Sequence, residues 1–166
     1  MEIISGTTGY ARDIYDIAEQ AWADTYGHIL SQEQIDYMLD MMYSPQAIDD
    51  QINKRGHHFY LIREDASACW QGFVSYEYDY QGAHKTKLHK LYVLPSCHGL
   101  GFGRILIEKV CEDARKHGNK SVLLNMNRNN ATLGFYKHMG FEIIGEEDID
   151  IGNGFLMEDY IFEKQL

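Results

Sequence analysis

The hydrophobic period of the chain changes at Gly56, and that change limits the folds open to it. Before it, apolar residues recur at helical spacing. Ile14, Ile17, Ala18, Ala21 and Trp22 mark a helix from Tyr10 to Tyr26, and Ile35, Met38, Leu39 and Met42 a second. The second opens at Ser31, where Gln34 completes a capping box. A third starts with Ser44 as N-cap and Pro45 at the first helical position. After Gly56 the pattern alternates: "HHFYLIRE", "CWQGFVSYEYDY" and "TKLHKLYVL" read as three strands. A helix from Gly101 to His117, closed by Gly118, then leads to the buried strand "KSVLLNMN". The short helix "NATLGFYKHM" and a closing hairpin, "FEIIGEEDIDI" and "FLMEDYIFEK" joined through "GNG", complete the chain. Helices, an antiparallel meander, then strand–helix–strand–helix–strand–strand predict a mixed α/β sheet. No repeat or Pro/Gly/Ser linker divides residues 1–166, so one domain is expected.

Composition narrows the partners. The net charge of −10 disfavours nucleic acid, whose affinity comes from Lys and Arg on phosphates. No apolar run approaches the roughly 20 residues that span a bilayer, and the N-terminus lacks a basic n-region and an h-region. A cytoplasmic protein with no membrane partner is the expectation. Cys69, Cys97 and Cys111 have no C-x-x-C spacing, so reduced thiols are expected. His57-His58 and His84 lack a carboxylate or cysteine at ligand spacing, and no metal is expected.

The most informative stretch is "VLPSCHGLGFGR", with glycines at 99, 101 and 103 between a strand and a helix. The first helical turn carries unpaired amides, and removal of Cβ atoms lets an anion approach them. Arg104 adds a cation at the rim. Alternatively, the glycines serve only a tight turn. A Walker loop is excluded by Gly103-Arg104-Ile105, and a dinucleotide fingerprint by Leu106 at the place of its third glycine.

"YVLPSCHGLGFGRILIEKV" resembles motif A of the GNAT superfamily of N-acetyltransferases, with His98 where Gln or Arg is usual. "NMNRNNATLGFYKHMGFEIIG" resembles motif B, with Thr132 at the usual Ala. The resemblance implies the GNAT fold: an α/β, mostly antiparallel sheet of about seven strands, its parallel strands 4 and 5 splayed, flanked by helices. It implies acetyl-CoA as co-substrate, with the pantetheine on the main chain of Leu91, Tyr92 and Val93. The pyrophosphate would take the amides of His98, Gly99, Leu100, Gly101, Phe102, Gly103 and Arg104. Asn129 matches the residue that bonds the pantetheine arm, and Tyr136 the general acid beside the sulfur.

A primary amine must then lose a proton, and Glu77, Asp79 and His89 are the candidate bases. The family's acceptor groove lies between the first two helices and the closing hairpin. Trp22, Tyr26, Tyr37, Tyr43 and Glu77 fall there. Ten acids between Met1 and Arg55, against Arg12, Lys54 and Arg55, suit a cationic small-molecule amine. The chain looks like the bacterial branch that includes spermidine/spermine acetyltransferases. Rival readings are acetylation of a protein N-terminus or lysine, and a non-catalytic acyl-CoA-binding module. The hairpin offers a surface for a homodimer.

Overall fold

Apolar stripes place the first three helices, and serine caps the second and third, where the sequence puts them. In the computed structural model, which describes residues 1–166, α1 spans Ala11–Tyr26, α2 Gln32–Tyr43 and α3 Pro45–Asn53. Ser31 Oγ accepts from the Gln34 amide at 3.1 Å, and Ser44 Oγ from the Ala47 amide at 3.2 Å. Only half of the expected capping box forms. The Gln34 side chain turns away and donates to the Leu156 carbonyl at 3.3 Å, tying α2 to the closing hairpin.

Seven strands follow the alternating pattern: β1 Glu2–Gly6, β2 His58–Arg63, β3 Gly72–Glu77, β4 Lys85–Val93, β5 Ser121–Asn127, β6 Glu142–Gly152 and β7 Phe155–Gln165. Between them lie α4 Phe102–His117 and α5 Leu133–His138. The sheet order is β1-β2-β3-β4-β5-β7-β6, and β4–β5 is its only parallel pair. β3 stops before the alternation "SYEYDY" does. Asp79 and Gln81 take left-handed backbone angles, and the Asp79 carboxylate accepts from Asn119 Nδ2 at 2.7 Å and from His117 Nε2 at 2.9 Å. At the tip of the hairpin, Asn153 (φ 53°) and Gly154 (φ 78°) supply the two positive angles of a tight turn.

Each face of the sheet is covered. Leu106, Ile107, Val110 and Ala114 of α4 bury one face against Val74, Leu88, Val122, Leu124 and Phe162. Ile14 and Trp22 of α1, Met38 and Tyr43 of α2 and Ile48 of α3 bury the other against Phe59, Leu61 and Phe73. No helix is long and apolar enough to cross a membrane.

One irregularity sets up the site. Ser75 pairs with Lys90 but Tyr76 pairs with Leu88, so His89 is an additional residue in β4. Such a bulge increases local twist and re-aims the strand. It falls where the parallel pairing ends, because β4 meets β5 only from Lys85↔Ser121 to Leu88↔Leu124. Beyond that rung β4 stays with β3 through Val93, and β5 stays with β7 through Asn127. The two strands diverge, leaving a gap.

Phe73 is fully buried, with its ring 6.1 Å from Tyr43 and 6.3 Å from Phe59. Phe73→Ala is expected to lower stability by about 3–5 kcal/mol. In urea titrations this appears as a lower midpoint at unchanged slope.

Candidate active site

The N-terminus of α4 forms one end of the site. Gly99 (φ +83°) and Gly101 (φ +82°) take the left-handed conformation, and a Cβ at either would meet nothing within 4 Å. Backbone angle, not crowding, calls for glycine there. Gly103 is different: its φ is ordinary, and a Cβ would reach only an ordinary contact, 3.4 Å from Phe135 Cζ. Neither strain nor the surrounding protein demands glycine at 103, yet it lines a cavity.

The amides of the loop divide into two groups. His98 N–H donates to the Pro95 carbonyl at 3.2 Å and Leu100 N–H to the Cys97 carbonyl at 3.3 Å, closing turns. The expectation that these two join an anion cradle is therefore corrected. Gly99, Gly101, Phe102, Gly103 and Arg104 keep amides without backbone partners, and the helix dipole makes them a seat for negative charge. The His98 ring donates from Nε2 to the Val93 carbonyl at 3.2 Å. Leu100 points outward, and Arg104 pairs with Glu108 at 3.0 Å.

A cavity of about 480 Å³ runs from this loop through the gap to α1. Leu91, Tyr92 and Val93 form its β4 wall, Leu124, Asn125 and Met126 its β5 wall, and Phe135 and Tyr136 its floor. Burial raises the Tyr136 pKa, and no protein group hydrogen-bonds its hydroxyl, so it is an O–H donor throughout the physiological range. Asn129 is exposed and outside the cavity: the turn bond from its amide to Asn127 Oδ1 faces it outward. Its neighbour Asn130 lines the cavity instead.

Ala21, Thr25 and Tyr26 of α1, with His89 and Lys90 of β4, form the far end. Of the aromatics expected there, only Tyr26 lines it, its hydroxyl 3.4 Å from that of Tyr92. Trp22 is in the core, donating to the Tyr43 hydroxyl at 3.3 Å. Tyr37 donates to the Ile151 carbonyl at 2.9 Å and packs on Phe155. None of the ten N-terminal acids is buried or lines the cavity; they occupy the solvated faces of the helices and the end of β1.

Two of the three candidate bases come together. His89 Nε2 lies 2.8 Å from Glu77 Oε2, and His57 Nε2 lies 3.4 Å from the same oxygen. His89 lines the cavity with Glu77 behind it, whereas Asp79 is committed to His117 and Asn119 away from it. Burial, the neighbouring imidazole and Lys90 push His89 down to about 2; burial, Lys90 and Arg55 push His57 down to about 3. Both rings are neutral at physiological pH, which makes His89 a weak proton acceptor. The fold thus supplies the carboxylate partner that sequence spacing did not reveal, and the three ligand atoms lie within 4.8 Å of one another. The imidazoles stack at 4.1 Å and 10°, however, so their in-plane lone pairs run side by side and do not converge as ligation of one ion requires.

Sequence reasoning missed Asp159 of β7. It pairs with Asn127 of β5 and Glu147 of β6, is buried, and its Oδ1 has no hydrogen-bond partner. Burial raises its pKa to about 6, against the opposing pull of Asn125 and Lys87. Asn125 joins it to the cavity: its Oδ1 accepts from Lys87 Nζ, and its Nδ2 donates to Glu147 at 2.9 Å. The available signal was Phe155, Met157, Asp159, Ile161, one acid among apolar residues on a single strand face.

Residues 11–141 match the acetyltransferase (GNAT) family. An uncharacterized N-acetyltransferase, YuaI of Bacillus subtilis, is 26% identical over 151 residues, covering 88% of this chain and 84% of that protein. A spermidine N(1)-acetyltransferase of Thermoplasma acidophilum is 26% identical over 148 residues, covering 87% and 88%. In fold, the chain superimposes on the PaiA N-acetyltransferase from Thermoplasma acidophilum, solved in complex with coenzyme A, with a TM-score of 0.81 and 24% identity over the whole of both chains. With its splayed parallel pair and glycine loop, the chain belongs to the GNAT family of N-acetyltransferases.

Proposed function

We propose that the protein moves an acetyl group from acetyl-CoA to the primary amine of a small molecule by direct attack in a ternary complex. One observation carries this reading: a single cavity joins the five unpaired amides at α4, the gap between β4 and β5, and Tyr136. In it the pyrophosphate sits on those amides, and the pantetheine runs along the free edge of β4 at Leu91–Val93. An edge amide of β4 polarises the thioester carbonyl and stabilises the oxyanion.

The amine adds to that carbonyl, the C–N bond forms, and the C–S bond then breaks. Tyr136 donates its proton to the departing sulfur. A free amine with pKa about 10.4 is almost wholly protonated at pH 7 and then has no lone pair, so it sheds one proton to solvent before it attacks, and a second leaves nitrogen after the C–N bond forms. Asp159, behind the lining next to Tyr26 and ionised above about pH 6, is the acceptor for this second proton through a water, the N–H being far more acidic once nitrogen has bonded to carbon. Glu77 and His89 form a polar wall beside this path, and Tyr26 bounds the acceptor. A polyamine is supported by the spermidine acetyltransferase relative and by Glu146, Glu147, Asp148 and Asp150 on the hairpin next to Asp159. Against it, no carboxylate is among the residues lining the cavity.

Thiol release from acetyl-CoA across a panel of amines, amino acids and peptides tests the reading; release with peptides alone would overturn the small-molecule assignment. Gly103→Ala is expected to weaken coenzyme A binding about tenfold or more in calorimetry while leaving the melting temperature unchanged or higher, since it adds a methyl only to the cavity side. Tyr136→Phe should lower kcat by roughly 10²–10⁴-fold at unchanged coenzyme A affinity. A non-catalytic binding module would show no turnover to lose.

Asp159→Asn should slow transfer over a similar range and abolish the rise in rate through about pH 6. The same variant should be more stable. A carboxyl raised from 3.8 to about 6 favours the folded state below pH 3.8 and loses that advantage as pH rises through 6. The ionised carboxylate therefore costs about 3 kcal/mol at pH 8. Urea titrations of the two proteins at pH 8 measure the difference.

A further inference from the structure

Acetyl transfer as described leaves one charged group in the cavity without a task. Lys90 lines the wall near the closed end of the gap, one residue past the bulge, and is only 9% exposed. Its Nζ donates to Gln51 Oε1 at 2.8 Å and lies 5.6 Å from the centre of the Tyr43 ring. No carboxylate offsets its charge: burial, then Arg55, are what act on it, and both push it down, to about 7. Around it stand Tyr43 from α2, Gln51 from α3, Arg55 and His57 ahead of β2, Ser75 on β3 and its neighbour His89. The imidazoles are neutral, and the Ser75 hydroxyl is buried without a partner. A buried lysine with no counter-charge, next to a second cation, is a costly arrangement that an anion would relieve.

Coenzyme A does not supply that anion. On the acetyl-transfer reading its pyrophosphate sits on the unpaired amides of α4, at the other end of β4. Across the gap, on the same face of the sheet as Lys90 (the one under α1, α2 and α3), lies Asp159, a buried carboxylate with an unpartnered oxygen. Lys90 thus belongs to the cavity wall on the β4 side, whereas Asp159 lies behind that wall on the β7 side, beside Asn125, Lys87 and the lining residue Tyr26. A polyamine answers only the second.

We infer that Lys90 docks a carboxylate carried by the acceptor, so that the acceptor is an amino-acid-like zwitterion with its amine toward Asp159 and its carboxylate toward Lys90. This rests on the acetyl-transfer reading above and narrows its substrate class. Lys90 acts on binding and has no part in the chemical step.

The test pairs ligands that differ only in the carboxylate: alanine, leucine, phenylalanine and lysine, their carboxamides, and the corresponding decarboxylated amines. Each is titrated calorimetrically into the protein saturated with coenzyme A, and each is assayed for thiol release with acetyl-CoA, using wild type, Lys90→Met and Lys90→Arg. The expected result is a preference of roughly 10- to 100-fold for at least one carboxylate-bearing ligand over its amide and amine. It should lie in affinity and KM more than in kcat, vanish in Lys90→Met, and return in part in Lys90→Arg, with coenzyme A affinity unchanged. A wild type that binds the decarboxylated amines or spermidine as well as the amino acids, or a Lys90→Met protein that keeps the preference, overturns the inference. Should Lys90→Met fail to fold, seen as loss of coenzyme A heat, the wild-type ratios alone decide. If coenzyme A binds but no acceptor releases thiol, the acetyl-transfer reading fails, and the calorimetric ratios still decide the role of Lys90.

Discussion

Everything about this site depends on one extra residue in a strand. His89 has no partner in β3, and the twist it introduces separates β4 from β5 after four parallel rungs. A parallel pair in the middle of a sheet normally continues to the strand ends, since each lost rung leaves amides and carbonyls unpaired. Here the neighbours on each outer side, β3 and β7, hold the strands so firmly that the gap stays open. The freed edge of β4 then lies beside the glycine loop and α4. A ligand with an extended amide-bearing arm and an anionic head fits that combination. Few other ligands would use both.

Electrostatics at the closed end of the gap follow from burial more than from charge pairing. Lys90 and Asp159 are both displaced toward neutrality, in opposite directions, because each lies in low-dielectric surroundings without a full partner. The stacked imidazoles of His57 and His89 are kept neutral by the same effect. Groups tuned in this way weaken the fold, and proteins keep such weakness where binding or chemistry uses it. The two hydrophobic layers on the outer parts of the sheet, around Phe73 and Val110, supply stability that offsets it.

What the sequence revealed was local. Glycines at a strand–helix junction, an N-capping serine and an alternating strand are each written in consecutive residues, so the element order and the α4 cradle were legible. The limits were equally physical. Whether Leu100 lines a loop or leaves it depends on which amides close turns, and Asn129 and Asn130 exchange places through one Asx bond. Glu77 meets His57 and His89 only through the register of three strands. The N-terminal acids suited a cationic acceptor on the count alone, because a count does not distinguish the two sides of a helix. Asp159 went unread although it is the odd residue in an apolar face, and its unpartnered oxygen needs three strands to be seen together.

The hydrogen bonds of Tyr37 to Ile151 and of Gln34 to Leu156 fasten α2 to both arms of the closing hairpin. The Tyr37 hydroxyl sits only 3.0 Å from where a Cβ on Gly152 would be, so the fastening leaves no slack at that point. Helix α2 and the hairpin are therefore held as one layer, and any residue larger than glycine at 152 would have to displace Tyr37 before the tip of the hairpin could keep its place.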